Sequence, residues 1–201
     1  MSVSLVDYGL GNLGSVANML KRVGAESRRV STGDQIMDSE RILLPGIGAF
    51  DTGMSLLRQH DLIDPLREFA ASGRPLLGIC LGMQLLLDSS EEGVESGLGL
   101  ISGRSVRFPV DSALRVPHMG WNTVTPVHDD ALVADLDTDS RFYFVHSYYV
   151  VPDRDSDVLA TTPYGRDFAS MVAAGNVLGA QYHPEKSHAF GMTILKNFAE
   201  L

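Results

Sequence analysis

Cys80, His183 and Glu185 are the residues of this chain whose types and spacing could perform nucleophilic chemistry. Cys80, the only cysteine, sits in Gly78-Ile79-Cys80-Leu81-Gly82, where the apolar run Pro75 to Ile79 meets a helical pattern carried by Leu81, Leu85 and Leu86. Glycines on both sides permit the sharp strand-to-helix turn of a nucleophile elbow, in which bulky flanking residues would obstruct a strained backbone. A helix N-terminus behind the sulfur favours the thiolate. His183 could take the thiol proton, and Glu185, two residues on along extended backbone, could point the same way and orient the imidazole. Pro184 stiffens that spacing. Taken alone, each motif has a plainer reading: Cys80 as a small buried hydrophobe, and His183-Pro184-Glu185 as a surface turn.

The elements around these residues must bring them together. Val3 to Asp7 reads as a strand, followed by helically spaced Val16, Met19, Leu20 and Val23 and a stop at Gly24. A second strand runs from Glu26 to Ser31, and Arg41 to Leu44 and Pro75 to Ile79 are further short apolar strands. Helical patterns cover 51–59, 61–72 and 81–88. Strands alternating with helices imply an α/β fold with a mostly parallel central sheet flanked by helices. Residues 89–99, rich in Ser, Glu and Gly, read as a surface loop. Beyond Val106 the pattern turns β-rich, with runs at 120–124, 142–151, 158–162, 170–174 and 177–181, expected to extend or flank the sheet as antiparallel strands. Gly175-Asn176 reads as a two-residue hairpin turn. Phe190, Ile194, Leu195, Phe198 and Leu201 mark a closing amphipathic helix.

At 201 residues and 44% hydrophobic, the chain suits a single domain, 1–201, with a sizeable core. Sixteen Lys and Arg against 25 Asp and Glu, a formal charge of -9, leave no basic stripe for phosphates, so nucleic acid is not an expected partner. There is no signal-like start and no apolar stretch long enough for a membrane span, so a soluble, cytoplasmic protein is expected. The six histidines form no metal-binding pattern and have no cysteine pair to assist them, so neither metal nor cofactor is expected.

Taken together, Gly78 to Gln84 and Tyr182 to Glu185 resemble the motifs of the triad (class I) glutamine amidotransferases, which imply a flavodoxin-like sheet. Pro45-Gly46-Ile47-Gly48 is similar to that family's oxyanion loop. Asp7 to Asn12, Pro117 to Asn122 and Tyr143 to Tyr148 narrow the resemblance to the glutaminase subunits of imidazole glycerol phosphate synthase. The resemblance covers essentially the whole chain. It implies hydrolysis of L-glutamine to glutamate and ammonia through a Cys80 thioester, with His183 as base and acid and Glu185 orienting it. Backbone N–H groups of Leu81 and of the Ile47-Gly48 loop would hold the oxyanion. Gly46, Gly48, Gln84, Ser147 and Tyr148 would bind the substrate. Asn12, Trp121, Tyr143 and Lys186 would lie at the interface and gate to a cyclase subunit, in a heterodimer whose cyclase uses the ammonia in histidine biosynthesis.

Gly9-Leu10-Gly11-Asn12-Leu13-Gly14 also satisfies a dinucleotide fingerprint, but the second strand ends on Ser31 without the acidic residue that holds a ribose. These glycines read instead as a loop near the active site or the interface. Asp129-Asp130 and the 135–139 cluster read as solvated turns. His146, set among Tyr and Phe, reads as packed and hydrogen-bonded and stays outside the catalytic set. The competing functions are a glutaminase serving another synthase, a nucleotide-binding domain with a structural Cys80, and a stand-alone cysteine hydrolase.

Overall fold

The computed structural model describes residues 1–109 and 114–201. Four strands lead the chain, β1 (Ser2–Val6), β2 (Glu26–Val30), β3 (Ile42–Gly46) and β4 (Leu76–Cys80), interleaved with helices α1 (Leu13–Arg22), α2 (Gly33–Met37), α3 (Phe50–Gln59) and α4 (Ile63–Ala71). Helix α5 (Leu81–Leu85) follows β4 directly. Then come β5 (Ser89–Ser90), β6 (Gly103–Arg107), β7 (His118–Thr123), β8 (Thr125–Pro126), β9 (Arg141–His146), β10 (Tyr148–Pro152), β11 (Val158–Pro163), β12 (Asp167–Ala174) and β13 (Val177–Ala180), closed by α6 (His188–Glu200).

The main sheet has the order β2-β1-β3-β4-β13-β12-β10-β6-β5, with β11 paired to β12 and β8 to β11. Strands β2, β1, β3, β4 and β13 run parallel, and β12, β10 and β6 continue the sheet in antiparallel pairs. β13, expected as an antiparallel strand, is antiparallel to β12 alone, because its hairpin with β12 turns it alongside β4 in the parallel direction. Alternation along the parallel strands feeds two cores. Val3, Leu5, Leu43, Leu77 and Ile79 pack with α1 and α6 on one face. Val6, Ile42, Leu44 and Leu76 pack with α3, α4 and α5 on the other. Ligands of such sheets bind beyond the carboxyl ends of the strands. β3, β4 and β13 end there side by side, with Gly46 opposite Cys80 and Ala180 opposite Ile79.

Several expected elements need correction. The run 142–151 is two strands that belong to different sheets: β9 pairs only with β7 in a separate two-stranded sheet, whereas β10 lies in the main one. The break falls at Ser147, whose carbonyl accepts from Phe108 N–H. The helix expected over 81–88 stops at Leu85, because N–H groups of Leu98, Gly99, Leu100 and Ile101 capture the carbonyls of Leu85, Leu86 and Leu87. The expected surface loop 89–99 carries β5, which pairs with β6, and it buries Ser90, Gly97 and Leu98. α2 and β6 were not expected, since both are short and mostly polar on their outer faces.

Candidate active site

Cys80 is the last residue of β4 and precedes α5, with φ 55° and ψ -112°. A non-glycine residue in that region is strained, and such strain persists only when its surroundings hold it. The neighbouring glycines allow this. A Cβ on Gly82 would lie 1.9 Å from the Leu44 carbonyl oxygen, and one on Gly78 would lie 2.6 Å from the Gly82 carbonyl oxygen. The elbow is therefore locked between β3 and the first turn of α5 by backbone contacts that no side chain could replace. Cys80 is 7% exposed and opens onto a cleft of about 370 Å³.

The cleft is also lined by Ile47, Gly48, Leu81, Gln84, Ser147, Tyr148 and His183. The chain leaving β13 carries His183 to this edge, and its backbone N–H is tied to the Tyr143 carbonyl of β9 at 2.9 Å. Pro184–Lys186 forms one 3-10 turn rather than the extended backbone expected, and this turn brings Glu185 Oε1 to 2.9 Å from His183 Nδ1, with both side chains 3% exposed. Nε2 is buried beside Cys80 without a fully formed hydrogen bond, and Glu185 Oε2 is likewise unpartnered. Burial pushes the His183 pKa down, but Cys80 and Glu185, as hydrogen-bond partners and as charges, outweigh it and raise the pKa to about 9. Such a site can take a thiol proton and keep it near the sulfur.

Ile47 and Gly48 are exposed at the rim, Gly48 with φ 101°, a conformation that favours glycine. The strand behind them is fixed by Tyr8, whose buried hydroxyl donates to the Pro45 carbonyl at 2.9 Å. Burial, followed by the nearby Cys80, raises the Tyr8 pKa far above the ordinary range. Gly11 packs on Pro45, where a Cβ would lie 3.1 Å away, so the glycine-rich segment 9–14 buttresses this loop. Leu81, in the first turn of α5, has an N–H without an intrahelical acceptor.

Gly46 lies behind the elbow and does not line the cleft; a Cβ there would meet Tyr8 Oη at 2.7 Å. Gln84 does line it, but its amide nitrogen is committed to the Tyr148 carbonyl and to Gln181 Oε1. Trp121 and Tyr143 stand opposite each other on β7 and β9. Trp121 is 48% exposed and stacks on His188, and Lys186 Nζ lies 5.6 Å from the Tyr143 ring centre. Asn12 is exposed and caps α1 by accepting from Ser15 N–H.

Three residues at the site escaped the sequence reading. Glu92, from the acidic loop, lines the cleft while accepting from Phe50 N–H at the start of α3. His118 forms a buried pair with His146, and Gln181 lies against Cys80. Each is defined by long-range pairing, which residue spacing does not reveal. Among the described residues, no group of three or more His, Cys, Asp or Glu side chains is arranged to hold a metal. No helix among them is long and apolar enough to cross a membrane.

The family described as Glutamine amidotransferase class-I matches residues 4–201. Imidazole glycerol phosphate synthase subunit HisH 2 of Pseudomonas aeruginosa is 50% identical over 200 residues, covering 99% of both chains. The HisH 2 subunit of Methanococcus maripaludis is 44% identical over 197 residues, covering 98% of both. Among solved structures, a chain of PurLQS from Thermotoga maritima superposes with a TM-score of 0.76 at 20% identity, over 99% of this chain and 97% of that one, a likeness of fold alone.

Proposed function

The chain belongs to the class I glutamine amidotransferases, as a HisH-type glutaminase subunit of imidazole glycerol phosphate synthase in histidine biosynthesis, and we propose that Cys80, His183 and Glu185 perform its chemistry. One observation carries the assignment: the strained Cys80 elbow and His183, held from behind by Glu185 and drawn from a distant part of the chain, meet in one cleft large enough for glutamine.

Cys80 Sγ gives its proton to His183 Nε2 and attacks the glutamine amide carbon. The carbonyl oxygen becomes an oxyanion, held by Leu81 N–H and by an N–H of Ile47 or Gly48. Losing one such donor costs about 2.7 to 4 kcal/mol of transition-state stabilisation. The tetrahedral species collapses by expelling ammonia, which takes the proton from His183, and leaves a glutamyl thioester. Water, deprotonated by His183, then cleaves the thioester to glutamate and restores the thiol. Glu185 Oε1 keeps Nδ1 protonated and Nε2 facing the sulfur throughout. Ser147, Tyr148, Gly48 and Gln84 border the volume left for the glutamine α-substituents, and Gly46 supports that rim from behind.

We propose further that the ammonia passes to a cyclase subunit in a heterodimer, docked over Trp121, Tyr143, Lys186 and Asn12. Trp121 and Met119 expose apolar surface on the same face of β7, and Tyr143 is one backbone hydrogen bond from His183. The match over 4–201 supports one glutaminase domain spanning 1–201, and the lone cysteine suits a cytoplasmic setting. Glutamate release by wild type and Cys80→Ala, with and without the cyclase and its nucleotide substrate, tests the reading. Activity that needs Cys80 and rises with the cyclase is expected. Undiminished activity in Cys80→Ala would overturn it.

A further inference from the structure

Two series of hydrogen bonds converge on the Tyr148 carbonyl at the cleft. A carbonyl oxygen only accepts, so His146 Nδ1 (2.7 Å) and Gln84 Nε2 (3.2 Å) must both donate to it. Gln84 Nε2 then gives its other hydrogen to Gln181 Oε1 at 3.0 Å. With its oxygen committed, Gln181 must turn its NH₂ toward Cys80 Sγ, 3.8 Å away. Gln181 is fully buried, so it has no water with which to exchange that orientation.

The second series secures the common acceptor. Asn122 donates to the Pro163 carbonyl at 2.8 Å, and its Oδ1 accepts from Thr123 N–H at 2.9 Å, which fixes its amide. Its nitrogen therefore donates to His118 Nε2 at 3.2 Å. His118 Nδ1–H then donates to His146 Nε2 at 2.9 Å, leaving His146 Nδ1–H for Tyr148. Every link runs in one direction, and reversing any of those between His118 and Tyr148 would leave a buried donor or acceptor unpaired.

We propose that Gln181 is a fourth catalytic residue, a neutral N–H donor to the Cys80 sulfur whose aim is set by Gln84 and the Tyr148 carbonyl. The inference rests on Cys80 being the nucleophile. When the thiol proton passes to His183, Gln181 keeps its own proton and donates to the thiolate. It does so again when the thioester sulfur leaves. Such a bond strengthens when the acceptor becomes charged.

The test compares wild type, Gln181→Met and Gln181→Glu in complex with the cyclase, reading glutaminase kcat and KM and the pH profile of Cys80 alkylation by iodoacetamide. Gln181→Met is expected to lower kcat about tenfold with KM within about twofold, and to move the alkylation profile up by about one pH unit. Gln181→Glu, which sets an acceptor against the thiolate, is expected to move it further. Alkylation profiles coincident with wild type would overturn the proposal. Loss of the nucleophile reading would show differently, as alkylation of Cys80 that leaves glutamine hydrolysis intact. If the variants do not fold, the Gln181 side-chain amide resonance of the wild-type complex serves instead. It is expected to shift in Cys80→Ala, and an unmoved resonance would overturn the proposal.

Discussion

Backbone contacts in the parallel part of the main sheet hold Cys80, whereas side-chain hydrogen bonds, several of them from the separate β7-β9 sheet, hold His183 and its surroundings. In the first, Gly78 and Gly82 admit approaches that leave no room for a Cβ, and the strained φ of Cys80 follows from them. In the second, His183 depends on Glu185, and Tyr148 depends on His146, His118 and Asn122. The difference separates two kinds of failure. Damage to the elbow costs mainly the fold, and damage to the His183-Glu185 pair costs mainly chemistry.

Glu185→Gln should produce the largest effect. It keeps the shape of the side chain but no longer fixes the imidazole tautomer, so kcat should fall by about 10³- to 10⁴-fold, with thermal stability close to wild type. A variant retaining a tenth of the activity would show that His183 is oriented by something else. Gly82→Ala should do the reverse. Its Cβ would overlap the Leu44 carbonyl, and a loss of about 3 kcal/mol or failure to accumulate as folded protein is expected, read by urea unfolding. Wild-type stability in that variant would mean the elbow is looser than its contacts imply.

A smaller effect concerns pH. Burial lowers the pKa of His118 to about 4, and burial first among several influences lowers that of His146 to about 3. Both groups are neutral in the fold and titrate near 6.5 when unfolded. Their contribution is therefore complete above pH 6.5 and is lost progressively as pH falls toward 4 and 3. His146→Phe, which suits the aromatic cage of Phe108, Phe144 and Phe168, should flatten that acid limb in melting curves taken from pH 7 to pH 4. A limb as steep as in wild type would remove His146 from the explanation.

What was legible in the sequence follows the same division. The elbow, its glycines, the His183-Pro184-Glu185 spacing and the first four parallel strands are local patterns, and they could be read residue by residue, whereas the parallel pairing of β13 with β4 could not. The break at Ser147 was not legible, because Tyr143 to Val151 is mostly apolar and aromatic on both sides of it and only pairing with β7 or β6 assigns each part to a sheet. His146 read correctly as packed and hydrogen-bonded, but its partner His118 becomes visible only through the β7-β9 register. Gln181 sat two residues before His183 in sequence, and nothing local indicated that its amide turns to the sulfur. Glu92 belonged to a segment whose composition resembles solvated loop, and its link to Phe50 N–H spans 42 residues.

The central claim, that Cys80 forms a thioester with glutamine, is tested most directly by acid-quenching the enzyme during turnover with the cyclase and locating any adduct by peptide mass spectrometry. A glutamyl group on the peptide containing Cys80, lost on further incubation without glutamine and absent in His183→Ala, is the predicted result. Glutamate production with no acyl group on Cys80 at any quench time, or an adduct on another residue, would contradict it.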